Sequence, residues 1–291
     1  MHKLKLITIE TFIKIFFIII ILNYSFFSIR FSLRENSWIA GDWLINYGGG
    51  LVRRGLSGEI ILFFNRILNV ETLNILIFFK ISIFFLFVFF LFSIIKKKQI
   101  NILYLFLLFS PATISFTFFD PLAVGRKENI FFLYYIIYLL YFLENKKLSS
   151  IKSLSYFFLG LFFVLIHEIF IFFSLFFLFS RFLYLKKIQS SSGLKNYIRE
   201  FSLSLGSFFG IVLLIFFSSK DPNLQIIACD KLINAGLTSE ICKGALTEIL
   251  FSKYINSFAS LGIKDYILSH NYIKTYFFSL ILFFIPLLIF L

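Results

Sequence analysis

Seven stretches of this chain are apolar enough to enter or cross a bilayer, and no other feature narrows the fold so far. A spanning helix needs about 20 apolar residues. The stretches run Phe12–Ile29, Asn74–Ile95, Ile100–Phe119 (with Pro111 inside it), Ile130–Leu143, Ser155–Tyr184, Phe201–Ser218 and Tyr276–Leu291. Hydrophobic residues make up 59% of the 291 and charged residues only 15%. Soluble domains are about 25% charged, so a water-soluble core could not hide this much apolar surface. The expected fold is all-α: a polytopic integral membrane helix bundle forming one transmembrane domain over residues 1–291.

Charge placement orients the spans. Short, almost purely basic connections hold Lys3, Lys5 and Lys14, then Lys96, Lys97 and Lys98, then Lys146, Lys147 and Lys152, then Lys186, Lys187, Lys195 and Arg199. Such loops read as cytoplasmic. The charge-mixed segments 30–73, 119–129 and 219–273 then read as outer loops. Arg30, Arg34, Arg53, Arg54 and Arg66 run against this, and Glu35, Asp42 and Glu59 partly balance them. The N-terminus resembles a signal peptide. No small-residue cleavage site follows at Tyr24, Ser25, Phe26 and Phe27, so it reads as an uncleaved first span with a cytoplasmic N-terminus, in a cytoplasmic (inner) membrane.

Residues 155–184 lie between two basic loops and must leave and return. At 1.5 Å per residue they reach about 45 Å, enough for one tilted span or two half-helices. The charge pattern favours the hairpin, which puts His167 and Glu168 at the outer tip and brings the count to about eight membrane segments. Lys80, inside the second span, is expected to snorkel to the nearer interface. Leu56–Val70 has apolar residues at helical spacing and reads as an interfacial helix. Short amphipathic helices such as Ser239–Asn256 are expected in the last outer loop, where Asp230, Glu240, Glu248, Asp265 and His270 read as solvated charges. The final apolar run meets the last residue with no polar anchor, a pattern compatible with truncation.

A net charge of +13 suggests nucleic acid only until its placement is seen. The cations sit in clusters at membrane ends, where lipid headgroups are a sufficient partner, so no nucleic-acid binding is expected. Cys229 and Cys242 share one polar segment; a disulfide and two unpaired thiols are both open. Without His partners they are weak support for a metal.

Three constellations could carry chemistry. Residues 41–56 hold Asp42, Trp43, Tyr47, Gly48–Gly50, Arg53 and Arg54. The glycines free the backbone for a close approach, the guanidiniums suit phosphate, Asp42 could be a base or metal ligand, and Trp43 and Tyr47 could stack on a sugar. The bland alternative is a turn anchored in headgroups. Residues 119–129 hold Asp120, Pro121, Arg126, Lys127 and Glu128. There the cations could bind an anion and the acids could act as bases, or the charges could simply pair locally. His167 and Glu168 interrupt an apolar run and demand partners, catalytic or structural. Acids and cations converging at one membrane surface suit transfer from a phosphate-bearing lipid: the acid deprotonates an acceptor hydroxyl and the cations stabilise the departing phosphate.

The layout resembles the GT-C glycosyltransferases: a first span, a long outer loop with an acidic residue and an interface-lying helix, then shorter charged outer loops. Asp42 falls where that family's first-loop acid would fall, and Asp120 or Glu128 falls in the second outer loop, although no DxD motif is present. The resemblance implies a transferase taking a polyprenyl-phosphate-linked sugar, with Asp42, Asp120 and Glu128 catalytic and Arg53, Arg54, Arg126, Lys127, His167, Glu168, Trp43 and Tyr47 binding substrate. Membrane lipids would be its surroundings. A divalent metal is left open, and no organic cofactor is expected. The chain is also similar to O-antigen-type polysaccharide polymerases, for which Arg53, Arg54 and the 219–273 loop would be the matching features. A lipid-linked substrate transporter or flippase, or a non-catalytic scaffold, are the other readings.

Overall fold

A computed structural model describes residues 2–34, 38–96, 124–142, 150–188, 197–219, 221, 223–243 and 245–248. The expected spans at Ile100–Phe119 and Tyr276–Leu291, and Asp120, Asp265 and His270, lie outside the described residues.

Every regular element among the described residues is helical. In chain order they are α1 (His2–Leu33), α2 (Trp38–Leu44), α3 (Gly55–Leu68), α4 (Thr72–Lys96), α5 (Glu128–Ile137, continued by a π-helical turn Tyr138–Phe142), α6 (Ser150–Ile166), α7 (Phe170–Lys187), α8 (Ile198–Phe217) and α9 (Leu224–Ile233). Two 3-10 turns follow, Ser239–Lys243 and Ala245–Glu248. Thr11–Leu33 of α1, α4 and α8 are each long and apolar enough to cross a membrane; α5 and α6 are shorter apolar helices. α1 and α4 contain neither Gly nor Pro, so nothing interrupts their hydrogen-bond ladders.

Ring contacts fix the directions. Tyr24 stacks on Phe84 and Phe17 meets Phe92 edge-on, so α1 and α4 are antiparallel. Phe131 of α5 touches Phe163 of α6 and Phe170 of α7. Farther along, Tyr138 touches Phe177 and Phe142 touches Tyr156. In one straight helix residues 156 and 177 would lie about 30 Å apart, yet they reach rings one turn apart on α5. α6 and α7 therefore form a hairpin with His167 and Glu168 at its tip. α8 runs alongside α6 in the same direction, with residues 202 and 206 meeting 153 and 157.

The α6–α8 contact is backbone-close. A Cβ on Gly206 would sit 1.9 Å from the Phe157 carbonyl oxygen, and one on Gly160 2.1 Å from that of Leu203. Gly206 and Gly210, four apart on α8, make the small-residue stripe by which helices pack in lipid without a hydrophobic driving force. Exposed Phe and Ile side chains cover the other faces of these helices, as a lipid-facing surface requires.

At the end of the assembly where α1, α6 and α8 finish, α2, α3 and α9 form a cap. Its core joins Trp43, Leu44, Val52, Ile61 and Leu62 to Leu224, Ala228, Ile241 and Leu246. A Cys229–Cys242 disulfide ties α9 to the first 3-10 turn. The helix expected over Ser239–Asn256 is these two short turns as far as Glu248. Over these residues the disulfide and the packing of Ile241 and Ala245 against Gly41 tie the chain to the cap.

Candidate functional site

Four separate pieces of chain deliver charged side chains to the capped end. α2 supplies Asp42, the turn before α3 supplies Arg53 and Arg54, the turn into α5 supplies Lys127 and Glu128, and the hairpin tip supplies His167 and Glu168. Arg54 is the hub. Its backbone is left-handed (φ 60°), an uncommon conformation for a side chain this large. The Ser57 hydroxyl and the Lys127 ammonium both donate to its carbonyl.

The Arg54 guanidinium bridges two acids. Its Nη1 donates to Asp42 Oδ1 at 3.1 Å, and its Nε and Nη2 grip Glu168, with Nη2 to Oε1 at 2.6 Å. Arg53 Nη1 reaches the same Glu168 oxygen at 3.4 Å. Lys127 is fully buried; its Nζ lies 3.8 Å from Asp42 Oδ2 and also donates to the Ile166 carbonyl at the end of α6. His167 Nδ1 accepts the Ile169 N–H, so in the neutral ring Nε2 carries the proton. That nitrogen lies 3.9 Å from Glu128 Oε1.

These surroundings set the protonation states. Burial pushes the Asp42 carboxyl up, but the charges of Lys127 and Arg54 outweigh it and hold the group below the usual carboxylate range. Burial likewise acts on Glu168, and the bonds and charge of Arg54 overcome it, bringing the group down to about 2. Arg54 itself is held above its ordinary value by the two carboxylates against burial. Glu128 behaves oppositely: burial raises its carboxyl, and no cation in bonding contact offsets it. Burial lowers Lys127 to about 8, with Asp42 opposing, and lowers His167 to about 4, helped by Arg54. At neutral pH the site thus holds two firmly ionised acids, a neutral imidazole and one carboxyl tuned upward. The three carboxyls are thus held in different protonation regimes by their surroundings.

No protein-family model, curated protein or solved structure matches this chain.

Of the residues singled out in the sequence, Asp42, Arg53, Arg54, Lys127, Glu128, His167 and Glu168 meet in one cluster. Arg126 is exposed beside it, near enough to Glu128 to lower that carboxyl. Trp43 and Tyr47 do not form an exposed stacking face. Trp43 is buried and its indole donates to the Gly125 carbonyl. The Tyr47 ring packs on Gly55, where a Cβ would come within 2.2 Å of it. Two N–H groups of the glycine loop are engaged within the chain. Gly48 N–H donates to Asn46 and Gly50 N–H to the Tyr47 carbonyl, while Gly49 lets the backbone close on Leu224. Gly48 and Gly49 allow the close approach of α9, and Gly50 that of Ser219.

Three partners escaped the sequence reading. Lys80 does not snorkel; it is buried, donates to Ser32 Oγ at 3.1 Å, and feels the Asp42 charge. Glu59 accepts the Tyr47 N–H and pairs with Lys231 of α9, bracing the cap beneath the site. A lone cation eight residues into α4 was the available signal for Lys80; nothing local pairs residues 59 and 231. Among the described residues, no three His, Cys, Asp or Glu groups are arranged to hold a metal ion.

Proposed function

We propose that the chain is a polytopic membrane glycosyltransferase that takes a sugar from a polyprenyl-phosphate donor at the non-cytoplasmic face. The observation that carries this reading is the convergence, at one end of an apolar helix assembly, of three cations with acids of opposed tuning. Orientation is supported by two features at opposite ends. The disulfide belongs to the capped end, and disulfides persist in oxidising compartments. The basic ends of α4 (Lys96) and α7 (Lys186, Lys187) lie away from it, as the positive-inside rule asks.

The chemistry assigns each group a task. The donor's sugar–phosphate C1–O bond breaks and the acceptor hydroxyl oxygen bonds to C1. Arg53 and Arg54 receive the charge that grows on the departing polyprenyl phosphate. Glu128, whose raised carboxyl is the better proton acceptor, takes the hydroxyl proton. Asp42 and Lys127 keep Arg54 in place. His167, neutral with its proton on Nε2, faces Glu128 across 3.9 Å.

Glu128→Gln is the direct test, since Glu128 makes no close ion pair and its loss leaves the Arg54 hub intact. Purified protein in nanodiscs with a polyprenyl-phosphate sugar should lose about 100-fold or more in transfer, the size of a general-base contribution. Full transfer by that variant would remove Glu128 as the base.

A further inference from the structure

We propose that Glu168 is an internal occupant of the anion site, a carboxylate seated where the phosphate of an incoming ligand binds, so that the ligand enters by displacing the α6–α7 hairpin tip. This rests on the assignment of Arg53 and Arg54 to phosphate.

The contacts carry it. Arg54 presents Nε and Nη2 to Glu168 as a two-pronged fork, the geometry by which guanidiniums grip both carboxylates and phosphates. Arg53, from the neighbouring position, donates to the same carboxylate oxygen that Arg54 Nη2 holds. Two adjacent guanidiniums focused on one oxygen make a more concentrated cation site than a single carboxylate needs for a surface pair. Position matters equally. Asp42, the other acid on Arg54, sits in a packed helix whose glycine is pressed against the cap. Glu168 sits in the short turn between two helices, and its side chain keeps 21% of its exposure. Of the two acids on this hub it is the more exposed, 21% against 13% for Asp42, and the one a motion of the turn can withdraw. Glu168 also precedes α7, whose positive end steadies the carboxylate in the seated state. Withdrawal leaves Arg54 paired with Asp42, so the hub does not collapse when the tip leaves.

A site filled by its own side chain costs apparent affinity in proportion to its occupancy. If Glu168 is seated more than nine-tenths of the time, ligand binding is weakened about tenfold. Glu168→Gln removes the competing charge and nearly preserves shape. The measurement is calorimetric titration of the full chain in nanodiscs with farnesyl phosphate, and separately with inorganic phosphate. The expected result is about tenfold or greater tightening in Glu168→Gln and loss of binding in Arg54→Met. Glu168→Asp, which keeps the charge but shortens its reach, serves if the glutamine variant is poorly recovered, and tightening is expected there too. Unchanged or weaker binding in the variant obtained overturns the proposal and makes Glu168 a structural clamp. Given that tightening, farnesyl phosphate bound far more tightly than inorganic phosphate assigns a lipid-borne phosphate, and equal affinities assign a free anion. No sugar transfer enters the readout. Exchange without transferase activity therefore rejects the transferase reading alone, and transfer without exchange rejects this proposal alone.

Discussion

A single arginine in a left-handed turn organises the charged site, and its neighbours set the pH behaviour. His167, lowered to about 4 by burial, binds a proton more readily in the unfolded chain than in the folded one. Stability is therefore lost as pH falls from the ordinary histidine value of 6.5 toward 4. Glu168, held at about 2 against an ordinary 4.5, contributes stability that is present above 4.5 and lost as pH falls toward 2. Thermal melts across pH 2–7 should show the two losses in sequence, and His167→Gln should flatten the upper one alone. An unchanged profile in that variant would place the titrating group elsewhere. Arg54→Lys should weaken the hub despite keeping the charge, because an ammonium cannot span Asp42 and Glu168 with a planar fork.

The long apolar helices were plain from their Phe, Ile and Leu runs, and the α6–α7 hairpin followed from basic residues on both flanks. Both are local or statistical signals. The uses of Gly48–Gly50, Trp43 and Lys80 were not legible, because each depends on a partner more than 40 residues away: Leu224, Gly125 and Ser32. A glycine cluster reads the same whether a ligand or a helix comes close. The α6–α8 interface gives the sharpest test at this scale. Gly206→Ala places a methyl group against a backbone carbonyl that cannot step aside. Overpacking of this kind costs about 1–3 kcal/mol. The melting temperature should fall in detergent, while the change Phe208→Leu at a nearby exposed position should leave it in place; equal melts for the two would show that the helices do not touch as described.

The whole molecule pairs an apolar helix assembly with a cap stapled by one disulfide. The staple joins the two parts of the cap that brace residues 41–50: α9 meets the glycine loop and the following turn meets Gly41. Closing a loop of this size is worth about 3 kcal/mol. Cys229→Ser with Cys242→Ser should therefore lower the melting temperature and speed amide exchange over residues 41–50 before it affects α6–α8. Uniform exchange along the chain would contradict a separately stabilised cap. If the charged site works on the non-cytoplasmic side, as proposed, a labelling experiment can detect it there. Cysteines replace Arg126, exposed beside the site, and Lys96, exposed at the far end of α4, each in a Cys229→Ser, Cys242→Ser background. Intact cells are treated with a membrane-impermeant maleimide. Labelling is expected at position 126 without permeabilisation and at position 96 only after it; the reverse pattern would put the site in the cytoplasm and rule out transfer from an externally presented lipid-linked sugar.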